Sequence, residues 1–300
     1  MARAIELTAM RRAIAISAHG LGSTSPNPPV GCVILDSAGR TVGEGYHVRK
    51  GDSHAETNAL AAAGNQARGG TAVVTLEPCN HYGRTPPCRE ALINANIARV
   101  LIAVMDPTSR GDGGAALLRR AGVEVECGFL QDEALLVLGP WLASLKNSRP
   151  FITWLYEADQ HGLPVRGMSQ SPVQEALPFL RRSHDLIIAE DGEIEEGRRK
   201  SHGDGVFQVP LLSPCEKSAE TISKLIATGA RSALIVGASD RTAMFSAAGV
   251  VDRIIAYLPL TPHSWTADDP KGFFAAVPDG YRLTAVCRHG NYVRLVGAKD

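Results

Sequence analysis

The sequence predicts an α/β chain folded as two domains, and three observations carry that expectation. Short β-branched runs at 71–76 and 99–105 alternate with alanine- and leucine-rich stretches at 54–64 and 113–121. Alternation of that kind builds a sheet covered by helices on both faces. Three hundred residues at 44% hydrophobic supply two modest cores. A polar, proline-ended stretch, Asn147-Ser148-Arg149-Pro150, offers a linker between a first domain at 1–147 and a second at 148–300.

Taken in order, residues 4–18 place Ile5, Met10, Ile14 and Ile16 among alanines, which suits a helix with one buried face. Pro26-Asn27-Pro28-Pro29 ends it. Runs at 30–35 and 41–48 flank the turn Ser37-Ala38-Gly39-Arg40 and predict a β-hairpin. His54 opens an alanine-rich helix ending near Gly64, so His54 and Glu56 fall in its first turn. The strand at 71–76 runs into Glu77-Pro78-Cys79. Pro86-Pro87-Cys88 opens the next helix, where a proline's missing N–H would be unpaired anyway. A strand at 99–105, a helix at 113–121, a strand at 123–127 and a helix at 131–146 complete the first domain. Beyond the linker, apolar runs at 151–156, 186–189, 233–236 and 253–258 predict strands, separated by polar, Gly-rich stretches such as 191–205. No internal repeat or low-complexity tract interrupts this order.

Lys+Arg and Asp+Glu balance at 31 each, which argues against nucleic acid or an anionic membrane as a partner. Residues 1–18 are broken by Arg3, Glu6, Arg11 and Arg12, and no run of about 18 apolar residues follows, so neither secretion nor membrane spanning is expected. Of the six cysteines, Cys32, Cys127, Cys215 and Cys287 lie among apolar neighbours. Buried free thiols in a reducing cytoplasm are the expectation for those four.

The remaining two cysteines carry chemistry. His54, Cys79 and Cys88 offer one imidazole and two thiolates, a set that suits Zn²⁺ and leaves the fourth tetrahedral position open, as catalytic zinc sites do. Glu56, two residues past the histidine, is within reach to move protons there. His-x-Glu followed by Pro-Cys and a second Cys is the pattern of zinc nucleobase deaminases. A structural zinc closed by His47 or His81 is the competing reading, but it gives Glu56 no task.

Eight residues separate Cys79 from Cys88, and that lengthened loop carries a resemblance. Pro26-Asn27-Pro28-Pro29-Val30-Gly31, Gly43-Glu44-Gly45-Tyr46-His47, His54-Ala55-Glu56 and Thr75-Leu76-Glu77-Pro78-Cys79 recur in order. His81, Gly83, Thr85-Pro86-Pro87-Cys88, Asp106-Pro107 and Ala121-Gly122-Val123-Glu124-Val125 continue the series. In these blocks the first domain resembles the bifunctional riboflavin-biosynthesis deaminase/reductase family. The resemblance implies a cytidine-deaminase-like α/β/α sandwich followed by a smaller, truncated dihydrofolate-reductase-like α/β domain. It also implies a substrate, 2,5-diamino-6-ribosylamino-4(3H)-pyrimidinone 5′-phosphate, deaminated at C2. By the same resemblance Asn27, His47 and His81 surround the pyrimidine, and Arg84, where the family has Lys, holds the phosphate. Asp106 before Pro107 is expected only to cap a turn.

The second domain resembles the family's NADPH-dependent reductase module at Pro150-Phe151-Ile152-Thr153-Trp154 and at Ala248-Gly249-Val250-Val251-Asp252-Arg253-Ile254. Its functional motifs differ. Leu155 stands where the family has a lysine, His161 where it has an aspartate, and Val236-Gly237-Ala238-Ser239 where it has Glu-Gly-Gly-Pro for the cofactor's phosphates. Leucine can neither donate a hydrogen bond nor carry charge. NADPH is therefore not expected, the second domain is expected to serve structure or oligomerisation as a dimer or tetramer, and a separate reductase polypeptide is implied. Two alternatives stay open. One is a diverged deaminase acting on another amino-heterocycle or nucleotide; the other is a non-catalytic zinc protein supporting a partner reductase.

Overall fold

The computed structural model describes residues 2–82, 86–166, 171–198, 207–212, 217–260 and 276–299. The chain divides into two compact units, Met1–Leu142 and Ala143–Asp300. The division falls inside a helix, two residues past Pro140, whose absent N–H interrupts the intrahelical ladder.

In the first unit, helix α1 (Ala2–Ser17) precedes the hairpin β1 (Gly31–Leu35) and β2 (Thr41–Tyr46). Then come α2 (Ala55–Ala63), β3 (Thr71–Leu76), α3 (Cys88–Asn94), β4 (Arg99–Val104), α4 (Gly113–Arg120), β5 (Glu124–Cys127) and α5 (Gln131–Lys146). The five strands form one sheet in the order β2-β1-β3-β4-β5. β1 is antiparallel to both neighbours, whereas β3, β4 and β5 are parallel. Strand residues alternate between faces. Cys32, Ile34, Val74 and Ile102 therefore pack with Ala59 of α2, Leu92 of α3 and Leu118 of α4 on one side. α1 covers the other side and is tied to α5 by Arg11–Glu133 at 2.9 Å.

Small residues decide where α2 sits. A Cβ on Gly43 would lie 2.3 Å from the Ala59 carbonyl oxygen, and one on Gly45 would lie 2.6 Å from that of Ala55. Glycines on β2 and alanines on α2 thus let backbone approach backbone. Glu44, between the two glycines, points away and pairs with Arg12 at 2.7 Å. The result fixes the N-terminus of α2, and with it His54 and Glu56.

The second unit contains β6 (Phe151–Ala158), β7 (Pro164–Val165), α6 (Pro172–Arg181), β8 (Leu186–Ile188), β9 (Ile194–Glu196) and α7 (Ser218–Ala227). It continues with β10 (Ser232–Val236), α8 (Asp240–Ala247), β11 (Arg253–Pro259), β12 (Tyr281–His289) and β13 (Tyr292–Lys299). Its sheet runs β12-β13-β11-β6-β10-β8-β9, with β7 beside β6. β8, β10, β6 and β11 are parallel. Ile152, Trp154 and Tyr156 pack with Leu225 of α7 and Phe245 of α8 on one face. Leu155, Leu234 and Ile255 pack with Val173 of α6 on the other. Arg149 forks onto the Asp252 carboxylate, which also accepts from the Ile152 N–H at 2.8 Å, so the start of β6 is pinned to β11.

The expectation of buried free thiols holds for Cys32 and fails for Cys127 and Cys287, which are exposed. Both sit on strands at a sheet edge, β5 and β12, each paired on one flank only among the described residues. Cys215 lies outside the described residues.

Candidate active site

His54 is the N-cap of α2, with extended backbone at φ −70° and ψ 163° and no side-chain capping bond. Cys88 is the first residue of α3. Cys79 follows the end of β3 by the length of the Glu77-Pro78 turn. These three places meet. The Nδ1 of His54 lies 3.6 Å from the Cys79 Sγ and 3.2 Å from the Cys88 Sγ, and the Cys88 backbone N–H donates to the Cys79 Sγ at 3.3 Å. All three donor atoms lie within 4.8 Å of one another, and among the described residues no other group of His, Cys, Asp or Glu converges in this way.

The donor set fits a zinc ion by chemistry and by size. Tetrahedral bonds of about 2.3 Å to sulfur and about 2.1 Å to nitrogen put neighbouring donors roughly 3.6–3.8 Å apart, close to the spacing found. Neither His47 nor His81 joins the group, so the alternative of a site closed by a fourth histidine gains nothing from the geometry. N-terminal helix dipoles at α2 and α3 favour negative charge at the same spot.

Electrostatics follow from the convergence. Cys79 is held well below the ordinary thiol range, at about 4, by hydrogen bonds from the Cys88 thiol, from His54 and from the Cys88 N–H. Cys88 is pushed up by the bond it gives Cys79 and by burial. Its proton must leave when a dication binds. His54 is raised, first by its bond to Cys79. Glu56 is 3% exposed. Burial, and then the Cys79 charge, push its carboxyl up to about 7. It lies against the cluster, accepting from the Cys88 thiol. A carboxyl poised there takes up and gives back a proton near neutral pH.

The expected substrate residues divide. Asn27 and His47 come together: the His47 Nδ1 donates to the Ser53 carbonyl at 3.1 Å, which leaves Nε2 to accept from the Asn27 amide at 3.4 Å. His47 is buried, which lowers its pKa, and its ring stands edge-on to His54 with centroids 5.4 Å apart. His81 is exposed in the segment after Cys79 and stands outside the donor group. Arg84 lies outside the described residues. Asp106 caps its turn as expected, its Oδ1 accepting from the Thr108 N–H at 2.8 Å and hydroxyl at 2.7 Å.

The residue that sequence reasoning passed over is Glu77. It is 5% exposed, and its carboxylate accepts from the Ala115 N–H at 2.9 Å and the Asp106 N–H at 3.3 Å. The turn that delivers Cys79 is thereby tied to the end of β4 and the start of α4. An acidic residue directly before Pro-Cys was the available signal. Asn80 is held likewise, accepting from Arg89 and donating to the Arg110 carbonyl at 3.0 Å.

Comparison with known proteins gives the class first. Residues 4–104 match the family model of the cytidine and deoxycytidylate deaminase zinc-binding region. Over 285 residues the chain is 35% identical to the riboflavin biosynthesis protein RibD of Mycobacterium tuberculosis, covering 83% of this chain and 84% of that protein. It is 48% identical over 126 residues to the diaminohydroxyphosphoribosylamino-pyrimidine deaminase of Buchnera aphidicola, 42% of this chain and 85% of that one. Against RibD of Escherichia coli the match is 41% over 186 residues, 62% of this chain and 50% of the relative, so here it spans about half the relative's length. The structure of Acinetobacter baumannii RibD superposes with a TM-score of 0.75 at 27% identity, covering 99% of each chain. The chain belongs to the RibD family, with a cytidine-deaminase-like domain followed by a reductase-like domain. No helix among the described residues is long and apolar enough to cross a membrane.

Proposed function

We propose that the chain is a zinc-dependent deaminase that removes the 2-amino group of 2,5-diamino-6-ribosylamino-4(3H)-pyrimidinone 5′-phosphate as ammonia. The observation that carries this reading is the meeting of His54, Cys79 and Cys88 within 4.8 Å beside the buried Glu56. The Buchnera relative, named for that activity, matches this part of the chain. A zinc ion held by the three side chains supplies Lewis acidity that lets water ionise near pH 7, about 9 units below its value in bulk.

The protein's own residues do the rest. Glu56 takes the first proton of the attacking water and passes it to the ring nitrogen. It then takes the second from the hydroxyl left on C2 and delivers it to the departing amine, so that ammonia leaves and the C2 carbonyl forms. Its burial excludes competing proton traffic from bulk water. His47, with its Nδ1–H committed to Ser53, and Asn27 present a fixed polar edge for the pyrimidine. His81 and Arg84 remain the proposed contacts to ring and phosphate on the resemblance alone.

For the second unit the reading is that NADPH is not used and that a separate polypeptide performs the reduction. Leu155 is fully buried in the α6-facing core and offers no polar atom at the position of the family's lysine. Gly237 has φ +79°, and a Cβ there would meet the Glu190 carboxyl carbon at 2.9 Å, so a carboxylate stands where phosphates would be cradled. Ser239 and Thr242 form a reciprocal capping box at the start of α8, each hydroxyl accepting from the other residue's N–H.

The test is ammonia release from the diaminopyrimidinone ribosyl phosphate, run against cytosine, guanine and pterin derivatives with zinc measured on the same sample. Turnover of the first compound alone supports the proposal. Turnover only of another amino-heterocycle replaces it with the diverged-deaminase reading, and zinc without turnover of any compound favours the silent partner protein.

A further inference from the structure

The parallel strands of the second unit end at a polar cluster that neither deamination nor the family's lost motifs account for. In the order β8-β10-β6-β11 the chain first builds to one side of β6 and then returns to the other. Open parallel sheets bind ligands outside the strand C-termini where the order reverses in this way. Glu157, next to last in β6 and in register with Tyr257 of β11, stands there. It is 6% exposed. Its Oε1 accepts from the Tyr292 hydroxyl at 3.3 Å, and its Oε2 has no partner among the described residues. Ser171, the 1% exposed N-cap of α6, has a second unpartnered buried oxygen, and its helix packs on β6. Glu175, in the first turn of α6, reaches the His289 ring at 3.3 Å, and that ring lies edge-on to Tyr257. Arg294, in register with Tyr257 on β13, is directed to the Tyr257 hydroxyl.

Buried carboxylate oxygens are almost always hydrogen-bonded, so an unmatched one calls for a donor. We propose that this end of the second unit is a binding site for a planar organic cation of the amidinium or guanidinium class. Glu157 accepts the cation's N–H fork on Oε2 and on the free lone pair of Oε1. Charge-assisted, two-point contact of this kind is what such cations select. Tyr257 and Tyr292 supply aromatic surface beside it. A divalent metal is a poorer occupant, because the described residues gather three metal-ligating groups only at His54, Cys79 and Cys88. A nucleotide phosphate is poorer still, since the group awaiting a partner is itself an anion.

The test is calorimetric titration of the full chain with benzamidine and with its neutral isostere benzamide. Saturable benzamidine binding, with benzamide at least tenfold weaker, is expected. A Glu157→Gln variant with an unchanged unfolding midpoint should bind benzamidine at least tenfold more weakly, whereas Glu56→Gln should bind it as the unmodified chain does. Equal affinity for the two probes, equal affinity in Glu157→Gln, loss of binding in Glu56→Gln, or no saturable binding of benzamidine would each overturn the proposal. The benzamide comparison needs no variant and stands even where Glu157→Gln fails to fold.

Discussion

Helix α8 of the second unit begins differently from α2 and α3 of the first, although α6 and α7 also start without a side-chain cap. In the first, α2 and α3 begin without side-chain caps, and the residues at those starts, His54 and Cys88, turn their donor atoms toward one another. In the second, α8 begins with a capping box between Ser239 and Thr242, and Glu190 lies against the glycine just before it. An uncapped start keeps its partial positive charge for a ligand, and a capped one satisfies itself. The difference teaches that similar buried parallel strands can present a helix start either to a neighbouring ligand group, as at α2 and α3, or to its own side chains, as at α8.

The largest effect that would break this comparison lies at Glu56. Glu56→Gln should cut ammonia release by about 10²–10⁴-fold, the usual contribution of a positioned proton carrier, and should leave zinc content unchanged. A variant that kept its rate would remove the basis for assigning chemistry to the first unit. Cys88→Ser should come next: zinc stoichiometry, measured by elemental analysis after dialysis, should fall well below one per chain, with activity falling alongside.

A third prediction concerns His184, buried in the second unit with its ring between the Leu180 carbonyl at 2.8 Å and the Thr153 hydroxyl at 3.1 Å. Burial lowers its pKa from 6.5 to about 4. The unfolded chain then takes up a proton at a pH where the folded chain does not. Stability is therefore full above pH 6.5 and declines as pH falls toward 4, by about 3 kcal/mol from this group. Thermal unfolding of His184→Gln should lose that part of the decline; an identical pH profile in the variant would contradict it. The smallest effect is expected at Glu77. Glu77→Gln offers one acceptor to two N–H groups, so it should cost about 1–3 kcal/mol of stability, read by denaturant unfolding, with weakened zinc retention.

The convergence of His54, Cys79 and Cys88 was legible because its evidence is local. Each ligand sits inside a short motif, and the loop between Cys79 and Cys88 is itself distinctive. The helix and strand starts that position them were also readable, since Pro87 and the alanine run after His54 act within one turn. Glu77 was not legible as a clamp, because its partners Asp106 and Ala115 lie 29 and 38 residues away. The Asn27–His47 contact spans 20 residues and depends on where the turn after α1 places the amide. In the second unit, β12 was passed over although Tyr281, Leu283 and Ala285 alternate with Arg282 and Thr284; its other apolar residues, Val286 and Cys287, are exposed and blur the pattern. Cys127 and Cys287 misled because apolar neighbours in sequence did not mean a covered strand.

One measurement tests the contrast between the units most directly. The full chain, loaded with zinc, is given the diaminopyrimidinone ribosyl phosphate together with NADPH, and ammonia and NADPH are followed in the same cuvette. The account predicts one ammonia released per substrate consumed and no loss of NADPH. Oxidation of NADPH in step with the deaminated product would show a working reductase behind Leu155 and Glu190, and the account would be wrong.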